Sequence, residues 1–432
     1  MAILRMASVE VAREHAGPGH ITTPEVCDLF LTSRTTIFNW RNKSYGELPV
    51  TTYKVGRKLV QLYKLSSLLE WAKKNDIEYD DAVANRLARM TAAATQQGPS
   101  TVANSRSVVD RLIAFQKLVR DTLIASRGKQ ALHEVSHSTA ADTIYKIDTE
   151  VEPLLESFCA EWGKETPLVL IAEGLEDEHG NEVNVTFPRG TKEEDAKIRV
   201  IVDPIDGTRG IMYDKRPAWA LAGVAPNNGP DTRLRDIEVA VMTELPTSKM
   251  GYGDVLWAIK GQGAKGQRVD LKTGEATPLP IGASKAETIK HGFASVVNFF
   301  PGTKVAAGEL MEAVVAACLG AADVTKAMVF DDQYICTGGQ FYELIVGHDR
   351  FVGDLRPLFY AKQGQPEGLC CHPYDCATWL VAEEAGVILT DGRGNPLDGP
   401  LDTTTGLSWA GFANETIRGQ VEPAIDQFFG TK

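Results

Sequence analysis

The spacing of apolar and polar positions changes character three times along this chain, and each change predicts a different kind of element. Over 21–74 the apolar residues come in short groups. Thr22-Thr23-Pro24-Glu25 forms a capping box with Pro in the first turn and opens a short helix through Phe30. Leu31-Thr32 turns the chain, and Ser33 caps a second helix over 34–41. Strands over 51–55 and 58–63 flank the turn Gly56-Arg57, and a last helix over 65–74 carries Leu68, Leu69 and Trp71. Near 88–107 the pattern lapses. ARMTAAATQQGPSTVANSRS is rich in Ala, Thr, Gln and Ser around a Gly-Pro break, so it buries little and reads as a linker, preceded by a helix over 81–94. Beyond it, helical spacing over 108–125 and 148–162 gives way to LVLIAEG, IRVIVD, AWALAGVA, IEVAVMTEL and VLWAIKG. Each is short, apolar and bounded by breakers, as buried strands are. A helix over 309–319, the strand-like FYELIVG, the helical pattern YDCATWLVAEEAG and the strand VILTD complete the chain. Mixed elements at this density predict an α/β layered body. The expected division is a head at 1–78, a linker at 79–107 and a body at 108–432.

Length supports this division, since 432 residues exceed one typical core. Hydrophobic residues at 43% and charged ones at 24% are ordinary for a soluble protein, and no apolar run reaches the ~18 residues of a membrane span. The first twenty residues lack a secretory pattern, and seven Cys, an odd count in so long a chain, favour reduced thiols, so a cytoplasmic location is expected. Net charge is −12, split as +5 over 1–74 and −17 over the remainder. A mildly basic head and an acidic body point to different partners.

Candidate chemistry concentrates in Ile201-Val202-Asp203-Pro204-Ile205-Asp206-Gly207-Thr208, where two carboxylates three residues apart follow an apolar strand. Pro204 stiffens the chain between them and Gly207 allows a tight turn after them. Hard cations such as Mg²⁺ take oxygen ligands, usually one or two carboxylates with water and substrate phosphate. Alone, the segment reads equally well as a metal site or as a surface turn rich in Asp and Gly. Three further features add weight to the metal reading. The segment 142–148 opens a helix with a second carboxylate pair, Asp142 and Asp148. Ile171-Ala172-Glu173-Gly174 ends another strand with a Glu, and Tyr374-Asp375-Cys376-Ala377 begins a helix that runs to Glu384-Ala385-Gly386. An isolated Asp375 would simply cap that helix.

Together and in this order, the four segments resemble the inositol monophosphatase-like superfamily of metal-dependent, lithium-sensitive phosphatases, which includes fructose-1,6-bisphosphatases and nucleotide 3′-phosphatases. Its Asp-Pro-Ile-Asp-Gly-Thr motif is intact at 203–208, and its carboxy-terminal pattern stands as Tyr374-Asp375 … Glu384-Ala385-Gly386-Val387. Gly253–Ala264 resembles its hairpin ending in Lys-Gly-x-Gly-Ala, and Arg216-Pro217-Ala218-Trp219-Ala220 its Phe-Pro-x-x-Ala stretch. The resemblance runs from about residue 108 to the carboxy terminus. It implies an α-β-α-β-α layered sandwich, a homodimer, two or three Mg²⁺, and hydrolysis of a small phosphomonoester such as an inositol phosphate, sugar phosphate or nucleotide 3′-phosphate.

The resemblance also implies roles. Glu173, Asp203 and the Ile205 carbonyl would hold one Mg²⁺, and Asp203, Asp206 and Asp375 a second. Thr208, supported by Asp148 and with help from Glu173, would position or deprotonate the attacking water, while the amides of Gly207 and Thr208 would receive the phosphate. Paired divalent ions suit a phosphate dianion because they cancel charge and generate a nucleophile near neutral pH. An all-oxygen set fits Mg²⁺ better than Zn²⁺.

The chain also departs from the family pattern. Gly174 stands where a second Glu is usual, Tyr145 where Thr is usual, and Arg209-Gly210-Ile211 where a small polar residue, Asn and Phe are usual. Arg209 either binds phosphate or faces solvent, with solvent preferred. Residues 176–199 read as an insertion. Cys370-Cys371-His372 with Cys376 matches no zinc spacing and reads as packing, His133 and His137 read as surface residues, and Gly261-Gln262-Gly263 is no nucleotide loop.

The head looks like the winged helix-turn-helix of excisionase and MerR-type regulators. That likeness would set Arg34, Thr35, Asn39, Arg41, Lys43, Arg57 and Lys58 against DNA, the alternative being a small adaptor for protein contact. For the whole chain, a phosphatase with a DNA-binding-type head stands against a regulator whose body senses a phosphorylated metabolite without turnover. A pure sensor need not keep Glu173, Asp203, Asp206, Thr208 and Asp375 together, and this chain keeps them all.

Overall fold

The computed structural model describes residues 20–22, 26, 27, 29, 30, 37, 48–55, 58–79, 102, 104–126, 135–138, 143–145, 151–175 and 183–430, with backbone only for 21, 22, 53–55, 58–60, 135–138 and 143–145. The chain divides into two units, Met1–Pro99 and Ser100–Lys432. In the first, β1 (His20–Thr22), β2 (Thr51–Val55) and β3 (Lys58–Lys64) form an antiparallel sheet in the order β1-β3-β2, and α1 (Leu65–Lys74) follows directly. Helix α1 buries Leu65, Leu68, Trp71 and Ala72, a spacing of three to four residues, against Val26, Leu29, Phe30, Ile37, Leu48 and Tyr63. Strands β2 and β3 and helix α1 coincide with the elements the spacing predicts. Strand β1 has no counterpart there, because three residues are too few to show a period. Arg34, Thr35, Asn39, Arg41, Lys43 and Arg57 lie outside the described residues, as does the side chain of Lys58.

The second unit opens with α2 (Ser105–Ser126), the two-stranded pair β4 (Val135–Ser138) and β5 (Thr143–Tyr145), and α3 (Glu152–Glu165). This corrects the helix expected to open over 142–148. Thr143, Ile144 and Tyr145 are β-branched or aromatic and pair as a strand, and the helix begins later, with Pro153 in its first turn. Next come β6 (Leu168–Ala172), β7 (Val185–Phe187), β8 (Ile198–Asp206), the short α4 (Thr208–Met212), β9 (Ala218–Pro226), β10 (Val239–Leu245), β11 (Tyr252–Ile259), β12 (Ala264–Asp270) and β13 (Ala276–Pro278). Their strands form an eight-stranded sheet in the order β13-β12-β11-β10-β9-β8-β6-β7, in which β6 and β8 run parallel. The remainder is β14 (Phe293–Val296), α5 (Lys304–Leu319), α6 (Thr337–Ile345), β15 (Asp349–Asp354), α7 (Arg356–Lys362), α8 (Trp379–Glu384), β16 (Ile388–Thr390), β17 (Trp409–Phe412) and α9 (Glu415–Phe429). Here the sheet order is β14-β15-β17-β16.

Helix α6 replaces the strand expected at FYELIVG. Short apolar runs are ambiguous, but Phe341, Leu344 and Ile345 fall on one helical face and are all buried. The Cys336 thiol caps that helix by accepting from the Gly339 amide at 3.2 Å. The last long pattern also shortens. Asp375 and Cys376 lie in a turn, and the helix proper starts at Trp379.

Three buried clusters set the layers. Helices α2 and α3 cover one face of the large sheet with Val109, Leu112, Phe115, Leu155 and Trp162. Helices α6 and α8 fill the space between the two sheets with Phe341, Leu344, Trp379 and Leu380. Helices α5 and α9 cover the outer face of the small sheet with Leu310, Val314, Ile417 and Val421. The unit is therefore an α-β-α-β-α sandwich. Trp219, Trp379 and Trp409 are almost fully buried in the middle layer, where truncation of one to Ala would cost about 3–5 kcal/mol. Among the described residues no helix is long and apolar enough to cross a membrane.

Candidate functional site

Strand β8 delivers two carboxylates to one side of the sheet by breaking its own alternation. Val200 and Val202 face the α2–α3 layer and Ile201 the middle layer, as a period of two requires. Continued regularly, that period would send Asp203 and Asp206 to opposite faces. Instead, Asp203 pairs with Leu221 and Asp206 with Trp219, so three steps on β8 match two on β9. The extra residue is a β-bulge that reverses the parity, and Ile205 rather than Asp206 joins the α2–α3 core. Pro204 sits inside the bulge, where a missing N–H costs no ladder bond. Gly207 then turns the chain with φ +94°, a left-handed conformation that favours glycine. A Cβ there would stand 3.0 Å from the Cys336 Cβ and Sγ.

Asp375 reaches the same place from the turn before α8. Its carboxylate accepts the His372 backbone N–H at 2.6 Å, and His372 stacks on Tyr374 with Nδ1 3.1 Å from the Tyr374 hydroxyl. Carboxylate oxygens of Asp203, Asp206 and Asp375 lie within 4.8 Å of one another. Glu173, at the end of β6, lines the same cleft together with Ile205, Gly207 and Thr208. The Ile205 N–H donates to Asp203 at 2.9 Å, and the Thr208 hydroxyl donates to the Ile205 carbonyl at 2.8 Å, which leaves that oxygen a second lone pair. The structure thus brings together every sequence-derived site residue of the body except Asp148, which lies outside the described residues.

Crowding of like charges is visible in the proton affinities. Burial pushes the Asp203 carboxyl well above its usual range, and the neighbouring charges of Glu173, Asp206 and Asp375 push it further. Burial raises Asp206 to about 6 against the opposing pull of hydrogen bonds from Gly338, Cys336 and Thr337 and of the Arg209 charge. A buried group of acidic oxygens that resist sharing one space is what a hard divalent cation relieves, so the donor set fits such an ion.

Residues without a sequence signal complete the cleft. The amide of Gly338, in the first turn of α6, donates to Asp206, and a Cβ there would meet Leu221 at 2.6 Å. The Cys336 thiol donates to the Asp206 carbonyl at 3.2 Å. These contacts follow from the Gly-Gly opening of α6, which reads in isolation as a loop. Phe299, Phe300 and Arg356 also line the cleft. Arg356 is buried in a two-pronged pair with Asp354 (2.8 and 2.6 Å) and donates to the Leu369 carbonyl at 3.2 Å. Arg209, expected to face solvent, instead lines the cleft with its guanidinium 5.3 Å over the Phe300 ring. The attraction of a cation for a ring face explains its inward position. Cys371 and Cys376 pack with their sulfurs 3.3 Å apart, and burial raises both thiols above their ordinary range.

No protein-family model matches the sequence, and no curated protein matches it. Solved structures do match. Leishmania major fructose-1,6-bisphosphatase in its holo form aligns over 78% of this chain and 97% of its own, at 12% identity and a TM-score of 0.56. The MJ0109 gene product, an inositol monophosphatase-fructose 1,6-bisphosphatase, aligns over 73% and 98%, at 15% identity and a TM-score of 0.50. The second unit has the inositol monophosphatase/fructose-bisphosphatase fold. At this identity the likeness is one of fold, and the chemistry rests on the side chains just described. In this fold the cleft lies where the carboxyl ends of β6, β8, β14 and β15 converge, the usual place for a ligand in an open α/β arrangement.

Proposed function

We propose that the second unit is a Mg²⁺-dependent phosphatase acting on a small phosphomonoester. The observation that carries this reading is the convergence of Asp203, Asp206 and Asp375 within 4.8 Å, with Glu173 and Thr208 lining the same cleft. Asp203, Asp206, Asp375, Glu173 and the Ile205 carbonyl would hold the metal ions. When bound, such ions neutralise phosphate charge and bring a water toward ionisation near neutral pH.

The chain's own groups supply orientation. The Asp203 side chain is fixed by the Ile205 amide and that of Asp206 by the Gly338 amide, so neither carboxylate needs to reorganise when substrate arrives. The Thr208 hydroxyl, half-buried at the start of α4, would hold the attacking water, with help from Glu173, which lines the same cleft. Asp148 would support Thr208. The amides of Gly207 and Thr208, at the start of α4, would take phosphoryl oxygens, whose charge is spread in the transition state. The test is release of inorganic phosphate from p-nitrophenyl phosphate by the full chain, with Mg²⁺ and with chelator. Turnover that requires the metal supports the reading. A chain that binds phosphate esters but releases none with any divalent ion would instead be a sensor.

A further inference from the structure

The Gly338 amide that holds Asp206 belongs to a strap, residues 332–338, which is tied down along its length. Near one end Gln333 accepts the Asn298 N–H at 2.9 Å and donates to the Val296 carbonyl at 3.0 Å. At the other, the Cys336 thiol donates to the Asp206 carbonyl at 3.2 Å and the Gly338 amide donates to the Asp206 carboxylate. An ion pair outside the carboxylate floor of the cleft completes the fastening. The Arg216 guanidinium donates through Nη1 to both Asp332 carboxylate oxygens, at 2.7 and 2.9 Å, and lies 4.0 Å over the Tyr334 ring. The Tyr334 hydroxyl donates to the Pro217 carbonyl at 2.9 Å and accepts the Trp219 indole N–H at 3.3 Å.

Arg216 is a firm anchor because the floor itself places it. The Lys215 and Arg216 amides donate to the Gly210 carbonyl, at 3.0 and 3.4 Å, closing the turn after α4. Three residues on, Trp219 pairs with Asp206 across β8 and β9. Arg216 is thus fixed relative to Asp206 through the main chain, and the strap is fastened to it. Tyr334 transmits the constraint. A Cβ on Gly339 would stand 2.3 Å from the Tyr334 ring, so the first turn of α6 lies directly against that ring and must follow it. The Tyr334 carbonyl also accepts the Gln340 side chain and the Cys336 amide, each at 2.9 Å. Asp206 needs its donor at a fixed place, because a charge-assisted bond weakens steeply as the amide tilts away. We propose that Arg216 and Asp332 are positioning residues: acting through Tyr334, they hold the Gly338 amide on Asp206 and thereby set the affinity of the floor for its metal ion. This rests on the metal-dependent reading above and adds to it a pair outside the residues that line the cleft.

The two side chains are 31% and 41% exposed, and ion pairs this open to water contribute little to global stability, so positioning and bracing give different results. In the full chain, Arg216→Leu removes the pair and the stacked cation, while Arg216→Lys keeps a charge for Asp332. Hydrogen exchange read by mass spectrometry in chelator should run about tenfold faster in the first turn of α6 of Arg216→Leu, with α2 unchanged. The Mg²⁺ concentration giving a half-maximal thermal shift should rise about tenfold, the scale seen when a group that orients a metal ligand is lost. The melting temperature in chelator should move by no more than about two degrees. Asp332→Leu should reproduce Arg216→Leu, and Arg216→Lys should keep most of the Mg²⁺ affinity. An unchanged Mg²⁺ midpoint in Arg216→Leu overturns the proposal. So does a midpoint that rises only together with a fall of many degrees in chelator, which would make the pair a structural brace. If Mg²⁺ does not shift the melting of wild type, the metal reading is what fails. The exchange data then decide whether Arg216 holds Gly338, faster exchange in the first turn of α6 supporting it and unchanged exchange overturning it.

Discussion

The floor and the rim of the cleft are built by different means. Most of the floor is local: Asp203, Asp206, Gly207 and Thr208 lie within six residues, aimed by one bulge on β8 and one left-handed glycine, and Glu173 and Asp375 join them from the end of β6 and the turn before α8. The rim is assembled at long range. Phe299 and Phe300 follow β14, Arg356 follows β15, and parallel pairing of β14 with β15 puts those two carboxyl ends side by side. Arg209 comes to them from the other sheet. A locally built floor can keep its chemistry while distant loops change around it, so on the proposed reading the floor would carry the reaction and the rim the choice of substrate. This division predicts that floor substitutions abolish turnover without unfolding the protein, and that rim substitutions alter stability or selectivity first.

The largest effect is expected at the centre of the floor. Asp203→Asn keeps the volume and a hydrogen-bond acceptor for the Ile205 amide but removes a charge shared by the proposed metal positions. Turnover of an aryl phosphate with Mg²⁺ should fall by on the order of 10³ or more. The melting temperature measured in chelator should stay the same or rise, because one member of a repelling group has gone. Wild-type-like turnover in this variant would refute the site.

The rim's counterpart is Asp354, fully buried against Arg356. Asp354→Ala leaves a guanidinium buried without its carboxylate, a change that costs about 3–5 kcal/mol in comparable settings. Urea unfolding should register this loss in full, while kcat at low temperature should drop less than tenfold. If kcat instead falls as far as in Asp203→Asn with little change in the urea midpoint, the pair belongs to the chemistry and the floor–rim division is wrong.

The same division explains what could be read from the sequence. The floor motif was legible because its residues are contiguous and end an apolar strand; strand-like runs such as AWALAGVA pointed to an α/β layered body, and the sandwich itself came from the family resemblance. Asp375 was legible through that resemblance; its turn was mistaken for helix because the apolar spacing from Trp379 onward extends backwards through Tyr374. The meeting of Phe299 and Phe300 with Arg356 was not legible, since nothing local in Asn298-Phe299-Phe300 announces a partner near residue 356. Helix α6 was hidden for another reason. Gly338 and Gly339 are poor helix formers, yet Asp206 needs an amide with no Cβ in the way, and a site requirement overrode propensity.

A smaller effect is expected at the hinge between strand and short helix. Gly207→Ala must hold φ +94° with a side chain, worth about 1–2 kcal/mol, and must crowd Cys336 at 3.0 Å. The thermal midpoint should fall by a few degrees, and kcat should fall more than KM rises, because the turn that aims Thr208 moves. A variant that loses stability but keeps kcat would show that the aim of Thr208 tolerates this displacement.

The finest test of the floor is its competition between protons and metal. Asp206 holds its proton up to about pH 6 in the folded, metal-free protein, above the ordinary value of 3.8 that applies once the chain unfolds. A carboxyl whose folded value is raised binds its proton more tightly in the native state. In chelator its contribution to stability is therefore present at low pH and is lost as pH rises from about 4 through about 6. Metal binding has the opposite sense, since the ion needs the carboxylate and must displace that proton below pH 6. The Mg²⁺ concentration giving a half-maximal thermal shift should therefore climb as pH falls, by up to about tenfold per unit below 6 through Asp206, with Asp203, whose carboxyl is also raised, adding to the climb. Asp206→Asn should bind the ion weakly throughout, with this part of the slope removed. A midpoint that stays flat from pH 8 to 5 in wild type would mean that the ion does not sit on Asp206, and the floor would need another account.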